Sequence, residues 1–165
     1  MPVAALSELV KQIVRLEGPV HADEVVVRLR AAWGLKRSGA RIQAAVERAI
    51  DAAIRFDGML MTGRFLSMAD TVVAIRDRGA VVSDTLRKPE MLPPQEIDVA
   101  ILDTLQKNYG AGLVEIAQYV ARLFGFKATS PQLRETIRLR LDELLLRGLL
   151  QKNGEVFELR QQEST

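Results

Sequence analysis

The chain of 165 residues has no cysteine and a single histidine. The first absence excludes disulfides, thiolate-bound zinc, iron–sulfur clusters and a thiol nucleophile. The second excludes a histidine-rich metal site, so no cofactor and no metal are expected. Aromatic residues make up only 5% of the chain, which argues against a platform of exposed rings for stacking the bases of a single strand. No apolar run approaches the roughly 18–20 residues of a membrane span. Met1-Pro2-Val3 begins no basic stretch followed by an apolar core, so no signal peptide is read. These absences predict a soluble, cytoplasmic protein without a membrane partner. An excess of one charge is also lacking, because 23 basic and 21 acidic residues leave +2. What is present, 48% hydrophobic and 27% charged residues, is ordinary globular composition, and the length suits one domain or two small ones.

The chain resembles itself at an offset of about 91 residues. Trp33-Gly34-Leu35-Lys36 corresponds to Phe124-Gly125-Phe126-Lys127. An apolar, helix-like stretch precedes each: Val25, Val26, Leu29 and Ala32 in the first copy, and Ile116, Ala117, Val120 and Leu123 in the second. A stripe at spacing four follows each, through Ile42, Val46, Ile50 and Ile54, and through Leu133, Ile137, Leu141 and Leu145. Two short apolar runs around a glycine then close each copy, at Gly63 and Gly154.

The periodicities predict helices over 4–17, 22–33 and 39–56, then a hairpin over 58–68. Glu17-Gly18-Pro19 ends the first helix. Asp23 and Glu24 suit the first turn of the second, where the helix dipole favours anions. Ser38 is read as the N-cap of the third. In the second copy, helices are predicted from Pro94 to about Asn108, over 112–124 and over 131–147. Thr129-Ser130-Pro131-Gln132 supplies start signals for the last of these, and Asn153-Gly154 signals a hairpin. Three helices and a hairpin in about 70 residues are the plan of a winged helix, a helix-turn-helix variant whose third helix enters the major groove. The expectation is a mainly α, α+β chain of two tandem winged-helix domains, 1–78 and 93–165, joined by a linker at 79–92. Within 71–92, Val72, Val73 and Ile75 predict a packed extended segment with at least one strand. Arg76-Asp77-Arg78-Gly79 and Leu86-Arg87-Lys88-Pro89 are expected to be exposed.

Glu17-Gly18-Pro19-Val20-His21-Ala22-Asp23-Glu24, Gly34-Leu35-Lys36-Arg37-Ser38-Gly39-Ala40-Arg41-Ile42 and Arg87-Lys88-Pro89-Glu90-Met91-Leu92-Pro93-Pro94 carry a resemblance to a known family. The chain resembles the uncharacterised C-terminal region of large bacterial helicase-related proteins. Those proteins have a superfamily I ATPase core and often an endonuclease domain like that of very-short-patch repair. The resemblance implies the tail of a DNA helicase, with the ATPase and nuclease motifs outside this chain and a helicase core in the same or a neighbouring chain as partner. It transfers no catalytic or binding residue.

No chemistry is read within the chain. Gly58-Met59-Leu60-Met61-Thr62-Gly63-Arg64 has the glycine spacing of a phosphate-binding loop, but Arg64-Phe65 stands where Lys and Ser or Thr are needed, in a hairpin context. His21 is read as part of the turn that starts helix two rather than as a catalytic base, because no nucleophile is identified beside it. Asp142 and Glu143 diverge on a helix and are read as solvated surface. Trp33 and Phe124 are read as packing residues.

The two third helices differ. With Ile42 at zero on a helical wheel, Arg37, Arg41, Arg48 and Arg55 fall at about 220–260°, opposite the apolar stripe and beside small Ala40 and Ala44. Lys36 precedes this stripe, and Arg64 is expected at the tip of the wing, reaching a flanking phosphate. Such a face suits phosphate contact. Glu47 and Asp51 lie beside it as candidate ion-pair partners. In the second copy the outward face carries Glu135, Leu139, Asp142 and Leu146, which suits a protein contact. Residues 1–78 hold 12 basic and 9 acidic groups, whereas residues 93–165 hold 9 and 10. The expectation is therefore a non-catalytic accessory module that contacts duplex or forked DNA through Lys36, Arg37, Arg41, Arg48 and Arg64. The alternative is a protein-interaction or dimerisation module acting through Leu139 and Leu146.

Overall fold

The structure, a computed structural model, describes residues 2–37, 39–80 and 84–161. The chain forms two compact units, Met1–Val73 and Ala74–Thr165. Both have the same order of α-helices and strands, and both combine three α-helices with a three-stranded antiparallel sheet. The chain is therefore an α+β protein.

In the first unit α1 spans Val3–Glu17, β1 Val20–His21, α2 Ala22–Ala32, α3 Ala40–Phe56, β2 Met59–Thr62 and β3 Phe65–Met68. Helix α1 ends at Gly18, whose N–H donates to the Val14 carbonyl. His21 caps α2, its Nδ1 accepting from the Asp23 N–H at 3.2 Å, and Asp23 and Glu24 occupy the first turn. The expected role of His21 at this turn is thus met. Ser38, read as the cap of α3, lies outside the described residues. The residue at the cap position is Gly39, which offers no side-chain bond. The stripe predicted for α3 faces inward, with Val46, Ala49, Ile50 and Ala53 buried against Leu6, Val10 and Val14 of α1 and against Val25 and Leu29 of α2. Burying side chains of this size contributes about 1.5–3 kcal/mol each for the larger ones.

Strand β3 is the middle of its sheet, with β1 on one side and β2 on the other. The β2–β3 register sets Thr62 opposite Phe65, leaving Gly63 and Arg64 as a two-residue turn. Gly63 takes φ +61° there, a conformation that tight hairpin turns require and glycine adopts cheaply. Strand β1, two residues long, was not readable in the sequence. It pairs Val20 with Leu66 and His21 with Phe65.

In the second unit α4 spans Pro94–Asn108, β4 Ala111–Gly112, α5 Leu113–Leu123, α6 Pro131–Leu146, β5 Leu150–Asn153 and β6 Val156–Leu159. Pro94 occupies the start of α4, where a missing N–H costs nothing. Ser130 caps α6, its Oγ accepting from the Leu133 N–H at 3.1 Å. Gln132 does not complete a capping box; its amide donates to Glu90 at 2.9 Å. Asn153 pairs with Val156, so the turn residues are Gly154-Glu155 rather than Asn153-Gly154. The core joins Ile97, Ile101, Val120, Phe124, Ile137 and Leu141, among others. Phe124 is fully buried, and Trp33 of the first unit is half-buried against its own core.

The residues between the copies depart from expectation in part. Residues 74–80 belong to the second unit, so the division falls at Val73 and Ala74, not at the 78 and 79–92 read from the sequence. Among the described residues 71–92 hold no strand, but 3₁₀ turns cover Asp84–Arg87 and Pro89–Met91. Arg78, expected at the surface, is buried. Its guanidinium donates to both carboxylate oxygens of Glu96, at 2.7 and 2.8 Å, and lies 5.2 Å from the Phe124 ring centroid. Its own N–H donates to the Phe124 carbonyl at 2.8 Å. Leu86 is likewise buried, as are Met91 and Leu92. A charged partner within reach, and apolar neighbours beneath, turn Arg78 and Leu86 into a packed strap, while Asp77, Gly79, Arg87 and Lys88 are exposed as expected and Val72, expected to pack, is exposed. Gly125 makes this approach possible. It takes φ +79°, and a Cβ there would collide with Gly79 and the Asp77 carboxylate.

Candidate nucleic-acid interface

The outer face of α3 is built by the same periodicity that buries its inner face. Arg41, Ala44, Arg48, Asp51 and Arg55 recur at three and four residues and are all exposed. Lys36 and Arg37 are exposed in the connection that leads into α3. Among the described residues, the side chains of Lys36, Arg37, Arg41 and Arg48 make no ion pair or hydrogen bond. Arg55 lies 6.0 Å from the ring centroid of Phe56. The first turn of α3 contains no acidic residue, so no carboxylate in that turn offsets the positive end of its dipole. The structure thus brings four of the five expected cations to one exposed helix and its approach.

Arg64 is placed differently. It sits in the hairpin turn, as expected, but its side chain does not project freely. One Nη2 donates to Asp23 Oδ1 and to Glu47 Oε1, each at 3.0 Å. These hydrogen bonds, Glu47 first and Asp23 second, raise the guanidinium above its ordinary pKa. Two carboxylates from other elements thus lie within reach of the turn at which Arg64 is expected to meet a flanking phosphate. Glu47 also accepts from Gln43 at 3.3 Å. It therefore faces Arg64 and Gln43 instead of pairing with the stripe arginines. Asp51 makes no ion pair among the described residues.

The equivalent helix of the second unit has two of its three arginines in ion pairs, Arg138 and Arg140, while Arg134 is exposed with none among the described residues. Arg138 of α6 donates to Glu135 at 2.6 and 2.9 Å and to Asp142 at 2.7 Å. Glu135 first, then Asp142, hold its guanidinium far above the usual range, and the same bond lowers the Glu135 carboxyl. Arg140 grips both oxygens of Asp98, at 2.8 and 2.7 Å, a pair sequence reading missed. Leu139 and Leu146 are 55% and 84% exposed on this helix. Their position away from the core matches the expected outward face.

The Gly58–Arg64 segment forms β2 and its turn, with no helix start for a phosphate-binding loop. Among the described residues there is no group of three or more His, Asp or Glu suited to hold a metal ion. No helix among them is long and apolar enough to cross a membrane. A sequence family described as a protein of unknown function (DUF3320) matches residues 1–44, the stretch that carries α1, β1, α2 and the first turn of α3. No curated protein and no solved structure matches the chain.

Proposed function

We propose that the two units are tandem winged-helix domains forming a non-catalytic accessory module of a DNA helicase-type protein, with the first unit contacting duplex or forked DNA through α3 and its approach. The observation that carries this reading is the contrast between the third helices. Lys36, Arg37, Arg41 and Arg48 are exposed on α3 and its approach with no carboxylate partner among the described residues, whereas on α6 Arg138 and Arg140 are paired and only Arg134 is left without one among the described residues. Cations without internal partners are available to displace counterions from phosphates; cations already paired are not. The small Ala40 and Ala44 permit close approach of a backbone. The helicase core, in the same or a neighbouring chain, would supply the ATPase.

Titration of labelled duplex, forked and single-stranded DNA with the chain at low salt tests the proposal. Binding to duplex or fork is the expected result, with an affinity in the range of about 10⁻⁴–10⁻⁶ M typical of sequence-independent contact. No binding to any of the three would remove the reading.

A second reading is favoured by Leu139 and Leu146, large apolar side chains left in solvent on one helix. It makes the second unit a protein-contact or dimerisation surface. On that reading light scattering after size exclusion gives a dimer, and Leu139→Glu converts it to monomer. A monomeric wild-type chain removes the dimer form of this reading.

A further inference from the structure

Arg64 differs from Lys36, Arg37, Arg41 and Arg48 in both its main chain and its side chain. Its carbonyl accepts from the Ala22 N–H at 2.8 Å, so the turn is tied to the start of α2. Its guanidinium reaches back to Asp23 on α2 and Glu47 on α3. Glu47 adjoins Arg48 in sequence and lies on the flank of the cationic stripe. The three groups together sum to −1; without Arg64 they sum to −2, beside the surface proposed to meet phosphates. A guanidinium that swung out to a phosphate would leave both carboxylates without its counter-charge in front of the same polyanion. One favourable contact would then be set against two repulsive ones.

We infer that Arg64 is a positioning residue of this face, acting by masking the Asp23 and Glu47 carboxylates rather than by touching DNA. The inference rests on the reading of α3 as the DNA-contacting helix. It makes the hairpin turn a charge shield for the helix, not an additional finger.

A charge-neutralisation cycle on the full chain, read by titration of labelled duplex at low salt, tests it. Arg64→Ala is expected to weaken binding about threefold to tenfold. Adding Asp23→Asn and Glu47→Gln to that variant is expected to restore affinity to within about twofold of wild type, because no carboxylate is left to mask. A direct phosphate contact predicts the opposite: a loss that neutralisation does not fully repair. That outcome, or an Arg64→Ala variant that binds like wild type, overturns the inference. Should Arg64→Ala fail to fold by circular dichroism, Asp23→Asn with Glu47→Gln in the presence of Arg64 decides instead, with equal or tighter binding expected and weaker binding contrary. If the wild-type chain binds no DNA, the reading of α3 and the inference fall together. If reversal of Arg37 and Arg41 abolishes binding while Arg64→Ala changes nothing, only the inference falls.

Discussion

Replacing Glu96 by alanine is expected to destabilise the second unit by about 3–5 kcal/mol, because it leaves a buried guanidinium without its counter-charge. Glu96 stands in the first turn of α4, where the helix dipole already favours a carboxylate. One oxygen accepts from the Arg76 N–H and from Arg78 Nη1, each at 2.7 Å, and the other from Arg78 Nη2 at 2.8 Å. Arg78 Nη1 also donates to the Arg76 carbonyl at 2.8 Å, while its Nε has no partner. Alanine removes the acceptor of three hydrogen bonds at once. A paired replacement, Arg78→Met with Glu96→Leu, removes both charges and is expected to cost less than the single change, as buried pairs replaced by apolar groups often do. Urea unfolding of the full chain checks both, with the second unit's transition moving and the first unit's staying. A single-variant loss below about 1 kcal/mol would mean that water reaches Arg78 and that the strap is held by other contacts.

That pair also shows where sequence reading ends. The stripes of α3 and α6 were legible because an amphipathic helix writes its buried face every three or four residues. Arg41 and Arg48 were placed correctly by the same arithmetic. Arg78 was not, because a charged residue in a polar run reads as solvated unless its partner is known, and Glu96 lies 18 residues away on another element. Arg64 was half legible. The turn was written locally by Gly63, but Asp23 and Glu47 are 41 and 17 residues distant, so the pairing of its charge was not. Strands β1 and β4 are two residues long, too short for any alternation to register. They exist because the middle strands β3 and β6 offer an open edge beside the starts of α2 and α5.

The near-neutral chain makes a sharp electrostatic prediction, because its effective charge for DNA is set by a few unpaired side chains and not by the total. If Lys36, Arg37, Arg41 and Arg48 each replace a counterion, the logarithm of the affinity falls with the logarithm of salt at a slope of about −3.6. Affinity then drops on the order of a hundredfold between about 50 and 200 mM salt. Arg37→Ala with Arg41→Ala is expected to halve that slope, to about −1.8, since two of four contacts are gone. Reversal of both to glutamate is expected to weaken binding at about 50 mM salt by on the order of a hundredfold or more, because repulsion is added to the lost contacts. Arg138→Ala provides the internal control. Its guanidinium is already shared between Glu135 and Asp142, so the slope should stay within about 0.5 of wild type. Fluorescence anisotropy across a salt series measures all four proteins. An unchanged slope after loss of Arg37 and Arg41, or a change as large on loss of Arg138, would mean that DNA contacts the chain elsewhere than on α3.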